Sequence, residues 1–453
     1  MRELSVNSIR LGQSIFIWDR LSLVMVSLVI FVSVVTLSYA QRYMVGDSAY
    51  RSFFLKLSLL VLALVMLALS DHLLLTFVLW GLSNMLLIAL LAHKNNWAQA
   101  IASAQLAART LLIGWCCLGV AFVLLYRHTH SCSISQLTGL VQSAQFDMML
   151  AAVLIVVAAM TQSAIWPCQR WLLSSLNSPT PVSAIMHAGL VNGGGWLLAR
   201  FGELILAQGF LLNSIFFVGL TSAVFGGIWK LQQQDIKRML TCSTMSQMGF
   251  MFMQIGAGLF PLAICHLCLH GMFKANLFLT TNTTAIRPRL TKHMHVSPRQ
   301  FILAAVIAGL ATVSCAIGMS YHMTGTLTTL WLVFGFAFIA STQFTLVLVA
   351  QTKRSILFTT VTVCLLGYFY GLGYFVLHHF FDSSRLFRPQ PLNVLHVAGF
   401  IVCCALWLLT VFQIAWRSST VAQTWWRRCY VLLLNASQPH PDTVTACRQS
   451  YHI

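Results

Sequence analysis

Apolar residues run along this chain in long blocks rather than in the strict alternation of a half-buried strand or the one-sided spacing of a surface helix. Blocks long enough to cross a hydrocarbon core of about 30 Å fall near 21–40, 51–69, 72–92, 109–126, 148–166, 179–200, 209–229, 239–257, 260–283, 301–321, 325–349, 355–378 and 394–416. They predict an all-α polytopic membrane protein of about 13 transmembrane helices joined by short polar loops. Prolines and glycines inside some blocks predict that not every helix runs unbroken.

Composition narrows the class further. Of 453 residues, 58% are hydrophobic and 8% charged, against roughly a quarter charged in soluble domains. That excludes a water-soluble globule and makes the lipid bilayer the main solvent. The formal charge of +18 would suggest nucleic acid in a soluble protein. Here the basic residues lie between apolar blocks, as in the cytoplasmic loops of membrane proteins, so no nucleic acid partner is expected. Loops after the odd-numbered spans carry most of them, including Arg42, Lys94, Lys230, Lys237 and Arg238, with few on the opposite side. The N-terminus is therefore expected outside and the C-terminus in the cytoplasm.

The organisation reads as a transmembrane domain over 1–416 and a polar cytoplasmic tail over 417–453. Trp425, Trp426, Arg427 and Arg428 are suited to an interfacial anchor. Ser38-Tyr39-Ala40 weakly matches a signal-peptidase site, but its apolar run is read as a retained first span. The longest loops, near 127–147 and 284–300, leave no room for a nucleotide, flavin or iron–sulfur module. No cofactor is expected in this chain. The cysteines sit mostly within apolar runs, such as Cys116-Cys117 and Cys403-Cys404, and imply no disulfide framework.

Ionisable residues inside a span are costly unless they face water, a partner or a cavity, and so point to function. Lys274 lies well inside the block 260–283, where no acidic residue accompanies it. His266, His270 and Lys274 recur every fourth residue, which stacks them on one helix face about 6 Å apart. A lysine withdrawn from water releases its proton more readily, and imidazole titrates near neutrality, so such a stripe can hold and pass protons. A lone histidine would more simply make an interhelical hydrogen bond; the lysine at the same spacing favours the stripe. Cys265 and Cys268 share a face that His266 does not, and the order does not fit a haem motif, so no metal is expected.

A second unusual stretch runs from Gln162 to Arg200. Pro167 interrupts one block, Pro179 and Pro181 open the next, and Gly193, Gly194 and Gly195 follow in mid-span, with His187 among them. Broken helices are tolerated in membranes where backbone lines protein or a water-filled cavity. Close helix packing explains the glycines equally well. A third stretch, Gln233 to Phe252, places Asp235 before a span rich in Thr, Ser and Gln. Taken alone, Asp235 reads as a helix cap.

SPTPVSAIMHAGLV, the Gln-Asp-Ile-Lys-Arg turn leading into Ser-Thr-Met-Ser-Gln-Met-Gly, and the His266/His270/Lys274 spacing together resemble the proton-translocating antiporter-like subunits of respiratory complex I and of Mrp sodium/proton antiporters. YMVGDSAYRSFF (Tyr43 to Phe54) and SDHLLLTFVLW (Ser70 to Trp80) resemble that family's early spans. The resemblance covers roughly residues 15 to 285. It implies a hydrated polar axis with broken helices, in which His187, His266, His270 and Lys274 transfer protons and Asp235 stands beside the path.

Three charged stations usual in the family are missing. Trp80 is followed by Gly81 instead of glutamate, Gln162 stands where a lysine precedes Ser-Ala, and no acidic or basic residue other than His322 occurs between Arg299 and Lys353. A lysine–glutamate switch is therefore not expected, and pumping would rely on histidines, water and Lys274. Against the larger subunits the chain is expected to start two spans in and to lack the long lateral helix. These features, with HAGLVNGGGWLLAR, resemble the branch of DabB-type membrane subunits of bacterial inorganic carbon pumps. That implies a large cytosolic DabA-like zinc subunit as partner, a bacterial inner-membrane location, and proton influx coupled to CO2 hydration there, with zinc held by the partner. The alternative is a proton-pumping subunit of a respiratory NADH dehydrogenase or an Mrp-type sodium/proton antiporter; a third possibility is a passive scaffold that has lost its charged stations. On either transport reading the chain is a transporter subunit and carries no catalytic residues of its own.

Overall fold

The computed structural model describes residues 15–139, 146–280, 296–319, 327–351, 355–381, 389–412 and 420–444. His322 and Lys353 lie outside them. In chain order the helices are α1 (Arg20–Tyr43), α2 (Tyr50–Leu69), α3 (Leu73–Leu91), α4 (Ala98–Thr129), α5 (Ile134–Gly139), α6 (Phe146–Gln162) and α7 (Arg170–Leu173). There follow α8 (Thr180–Ala188), α9 (Gly193–Arg200), α10 (Gly202–Leu206), α11 (Gly209–Gln232), α12 (Ile236–Gly256) and α13 (Phe260–Leu279). The chain continues through α14 (Pro298–Gly318), α15 (Leu330–Gln351), α16 (Ile356–Phe381), α17 (Val394–Phe412) and α18 (Thr420–Ala436).

Eleven segments among the described residues are long and apolar enough to cross a membrane: α1 to α4, the α8–α9 stretch Thr180–Arg200, α11, and α13 to α17. Two more helices stand where spans are expected. At 17 residues α6 is slightly short, and the 21-residue α12 is made polar by its Thr, Ser and Gln. Length and apolarity thus support eleven of the thirteen expected. Helix α4 has 32 residues, about 48 Å at 1.5 Å per residue, so it overshoots the hydrocarbon core and begins well before its apolar block.

The described chain groups into two compact units, one of residues 1–256, 266–286 and 431–453, the other of 257–265 and 287–430. In the first, α11 packs along α12, α4 along α6, and α2 and α3 along each other. Small residues allow this closeness: a Cβ at Gly226 or Gly249 would strike the backbone of the facing helix, the contact that drives helix association in lipid. Outward-facing Leu23, Ile30, Leu55, Leu62, Phe217 and Phe273 are exposed, as a lipid-facing surface requires. In the second unit α14 packs on α15 and α16, around a core that includes Cys315, Met319, Leu330, Val333 and Tyr374.

Polar knots fix the helix ends. Asp19 caps α1 by accepting the Ser22 amide at 2.8 Å, and it pairs with the Arg200 guanidinium at 2.6 Å. The Arg200 guanidinium also donates to Ser22 Oγ and to the Ala68 carbonyl. The fully buried Asp71 accepts from Ser133 Oγ, Ser135 Oγ and the Ser135 amide, tying the start of α3 to the first turn of α5 and the residue before it. In the loop after α1, the Ala49 amide holds the Asp47 carboxyl below the ordinary carboxylate range; slight burial opposes this and His93, 3.2 Å away, adds to it.

The tail is not simply a polar extension. Leu433 of α18 packs against the core around Leu173, Trp229, Cys242 and Met245. Gln233 Nε2 donates to Ser437 Oγ, the His440 amide to Ser174 Oγ, and Asn177 Nδ2 to the Thr443 carbonyl. Arg427 and Arg428 are exposed; the side chains of Trp425 and Trp426 lie outside the described residues.

Candidate functional site

Helix α13 carries the stripe lengthwise. His266 lies about 9 Å along it from Phe260, His270 about 6 Å further, and Lys274 about 6 Å beyond that. The rings of His266 and His270 are near-parallel, 6.1 Å between centroids. Lys274 is 1% exposed, and its Nζ donates to the Leu240 carbonyl of α12 at 2.9 Å. That carbonyl also accepts the Thr244 hydroxyl at 3.0 Å. One carbonyl leaves the ammonium group's remaining donors open, and among the described residues no carboxylate lies within 4 Å of it. A charge buried in this way is tolerable only if water reaches it or it gives up its proton.

The histidines are similarly under-bonded. Both ring nitrogens of His270, Nε2 of His266 and Nδ1 of His187 are buried without a hydrogen-bond partner in the protein. The His266 ring also meets the backbone at Gln247. Nearly all buried polar groups in native proteins are satisfied by protein or ordered water. Four such nitrogens on neighbouring rings therefore mark a strip suited to water.

The broken helix lies alongside. Pro179 and Pro181 sit at the start of α8, where a missing amide costs nothing. The break itself is Gly189 and the 3-10 turn Leu190–Asn192. Gly193, Gly194 and Gly195 come just after it, in the first turn of α9, so the interruption falls earlier than the glycine run suggests. Gly194 lets α9 press on Ser163 and the Ala159 carbonyl of α6, and Gly195 accommodates Met251. His187, 1% exposed in the last turn of α8, stacks on Phe278 of α13 with 4.3 Å between centroids. Gly271 completes the contact: a Cβ there would lie 2.8 Å from the Ala188 carbonyl and 3.1 Å from Asn192 Nδ2. Only glycine brings the His270 and Lys274 face this close to the break.

Gln162 lies at the end of α6, and its Nε2 donates to Asn84 Oδ1 of α3 at 3.1 Å. Gln162 Oε1 and Asn84 Nδ2 are buried without partners, as is Asn192 Oδ1. Asn84 and Asn192 extend the polar strip, and sequence reasoning passed over both. A lone amide inside an apolar block was the only signal. Gly81 does not face this strip. A Cβ there would lie 2.7 Å from the Trp115 indole, which is held by its donation to the Phe77 carbonyl. The indole fills the space that a side chain at position 81 would need.

Asp235 is placed apart from the stripe. It is exposed before α12 and caps it, Oδ1 accepting the Arg238 amide at 2.9 Å. Beyond Lys274, the adjoining ends of α12 and α13 are filled by an apolar cluster of Ala184, Leu240, Phe278 and Leu279, packed by Tyr39 and Ile236. The arrangement can relay protons between imidazoles, the lysine and water. It contains no carboxylate on the stripe to pair with Lys274.

A family model described as the transmembrane region of NADH:quinone oxidoreductase and Mrp antiporters matches residues 70–352. One described as the N-terminus of chain 5 of NADH-ubiquinone oxidoreductase (complex I) matches residues 5–54. The chain belongs to this antiporter-like family. This antiporter-like subunit is 33% identical over 323 residues to the "probable inorganic carbon transporter subunit DabB" of Bacillus subtilis, covering 69% of this chain and 63% of that relative. It is 35% identical over 280 residues to the protein of the same description in Bacillus anthracis, covering 60% and 54%. To NADH-quinone oxidoreductase subunit L of Escherichia coli it is 34% identical over 291 residues, covering 62% and 47%. The subunit thus spans roughly half to under two thirds of these relatives' lengths. Its fold is like that in the Mrp complex from Dietzia sp., with a TM-score of 0.56 at 24% identity, over 93% of this chain and 45% of that one. It is a multi-pass membrane subunit of this antiporter-like family.

Proposed function

We propose that this subunit is the proton-conducting half of an inorganic carbon uptake system in a bacterial inner membrane. The observation that carries the proposal is the buried and incompletely hydrogen-bonded stripe of His266, His270 and Lys274 beside the broken helix that bears His187. Protons move along this strip, held in turn by imidazole, water and the Lys274 amine. Gln162, Asn84 and Asn192 orient water without exchanging protons themselves, because amides do not titrate. Pro179, Pro181 and the glycines at 193, 194 and 195 bound the break that keeps backbone near the strip. Asp235 stands beside the strip and not on it.

Carbon chemistry is assigned to a large cytosolic DabA-like partner whose zinc would supply the hydration of CO2 to bicarbonate; inward proton movement drives that step. The two Bacillus relatives described as carbon transporter subunits support this branch. The basic loops support an N-terminus outside and a C-terminus in the cytoplasm. The second reading, a pumping subunit of an NADH dehydrogenase or of an Mrp-type antiporter, is favoured by the 34% identity to the Escherichia coli subunit. The test is growth in ambient air of a carbon-uptake-deficient strain. Rescue by the wild-type gene pair and its loss with Lys274→Ala at equal expression is the expected result. Undiminished rescue by Lys274→Ala would remove the stripe from the mechanism.

A further inference from the structure

Away from the proton strip, a cleft of about 300 Å³ is lined by Trp97, Leu176, Asn177, Asp235, Lys237, Arg238 and Val444. Its volume is at the lower end of small-molecule sites. Lys237 and Arg238, both half-buried, belong to the first turn of α12. Among the described residues Lys237 Nζ reaches the Leu176 and Ser178 carbonyls, at 3.4 and 3.3 Å, and one Arg238 nitrogen reaches Gln438 Oε1 at 3.3 Å. Among the described residues neither cation has a carboxylate within 4 Å, although Asp235 lines the same space. Tyr43 and Asp235 act on Lys237 through their charge, and Lys94, more weakly, opposes them. Two half-buried cations facing one concavity with a single carboxylate, which neither of them meets within 4 Å, leave a net positive charge on its lining.

We propose that this cleft binds a small, singly charged oxyanion of the carboxylate or bicarbonate type. Lys237 and Arg238 less Asp235 leave one positive charge, which matches a monoanion. The planar guanidinium presents paired donors to two oxygens, and the ammonium adds a point charge beside them. The tail completes the site: Val444 forms part of the wall, and the bond from Asn177 Nδ2 to the Thr443 carbonyl, 2.7 Å, holds that segment in place. Binding here does not depend on the proton-conducting reading, and it stands or falls by its own measurement.

Isothermal titration calorimetry of the full-length detergent-purified protein tests it, with sodium bicarbonate and sodium acetate titrated against matched sodium chloride. A saturable heat is expected with both oxyanions and not with chloride. Arg238→Gln should weaken binding by about tenfold or more, the equivalent of one charge-assisted hydrogen bond. Lys237→Arg should retain it. Asp235→Asn keeps a capping side chain while raising the net charge of the cleft, so it should tighten binding, an effect that general misfolding cannot imitate. The proposal is overturned by the absence of saturable heat in the wild type, or by unchanged affinity in both Arg238→Gln and Asp235→Asn. A response only to nanodiscs containing phosphatidylglycerol would also overturn it, because the occupant would then be a lipid headgroup and not a free small anion.

Discussion

At the scale of single residues the account turns on Lys274. Among the described residues its ammonium group has one carbonyl acceptor and no carboxylate within 4 Å, so its value to the protein lies in what it can release rather than in what it binds. Two substitutions separate charge from proton exchange. Lys274→Ala removes both, whereas Lys274→Arg keeps the charge but cannot deprotonate in a protein. Both are expected to lower proton flux at least about tenfold at equal expression, and equal flux in Lys274→Arg would show that only charge is needed. Position 81 offers a second test. Restoring the family's usual carboxylate by Gly81→Glu meets the Trp115 ring, itself stacked on Phe77 with 4.7 Å between centroids. Overpacking of this kind costs about 1–3 kcal/mol, so a lowered melting temperature with no gain in flux is expected, partly relieved in the double variant with Trp115→Ala.

At the scale of elements, the contact between α13 and the broken helix determines whether the stripe is reachable. Gly271→Val would drive side-chain carbon into the Ala188 carbonyl and Asn192, whereas a Cβ at Gly309 meets nothing within 4 Å. Flux and melting temperature should both fall for Gly271→Val and stay near wild type for Gly309→Ala; no difference between the pair would mean that the close approach is unimportant. The helices themselves were legible in the sequence because apolar blocks of membrane-crossing length admit few other structures in lipid. The stripe was legible because four-residue spacing fixes a helix face. The position of the break was less so: Gly193, Gly194 and Gly195 advertise permissive backbone, but packing against Ser163 and Met251 used Gly194 and Gly195 for close contact and left the interruption at Leu190–Asn192. Asn84 escaped notice because its partner, Gln162, is 78 residues away, and pairing over such distances is decided by tertiary packing.

At the scale of the whole molecule, the docking of the tail was the least legible feature. Its contacts, such as His440 to Ser174 and Asn177 to Thr443, join polar groups some 266 residues apart, and nothing in local composition announces them. The partner assignment is tested at this scale too: affinity purification from gently solubilised membranes should recover one large soluble zinc-containing protein, whereas several hydrophobic subunits would favour the respiratory or Mrp reading. The most direct test of the central claim is proton uptake by liposomes reconstituted with the purified subunit and any soluble partner it retains, followed by an internal pH dye under an imposed inward proton gradient. The account predicts acidification well above that of empty liposomes, and its loss with Lys274→Ala. Wild-type liposomes no more permeable than empty ones, or Lys274→Ala liposomes as permeable as wild type, would contradict it.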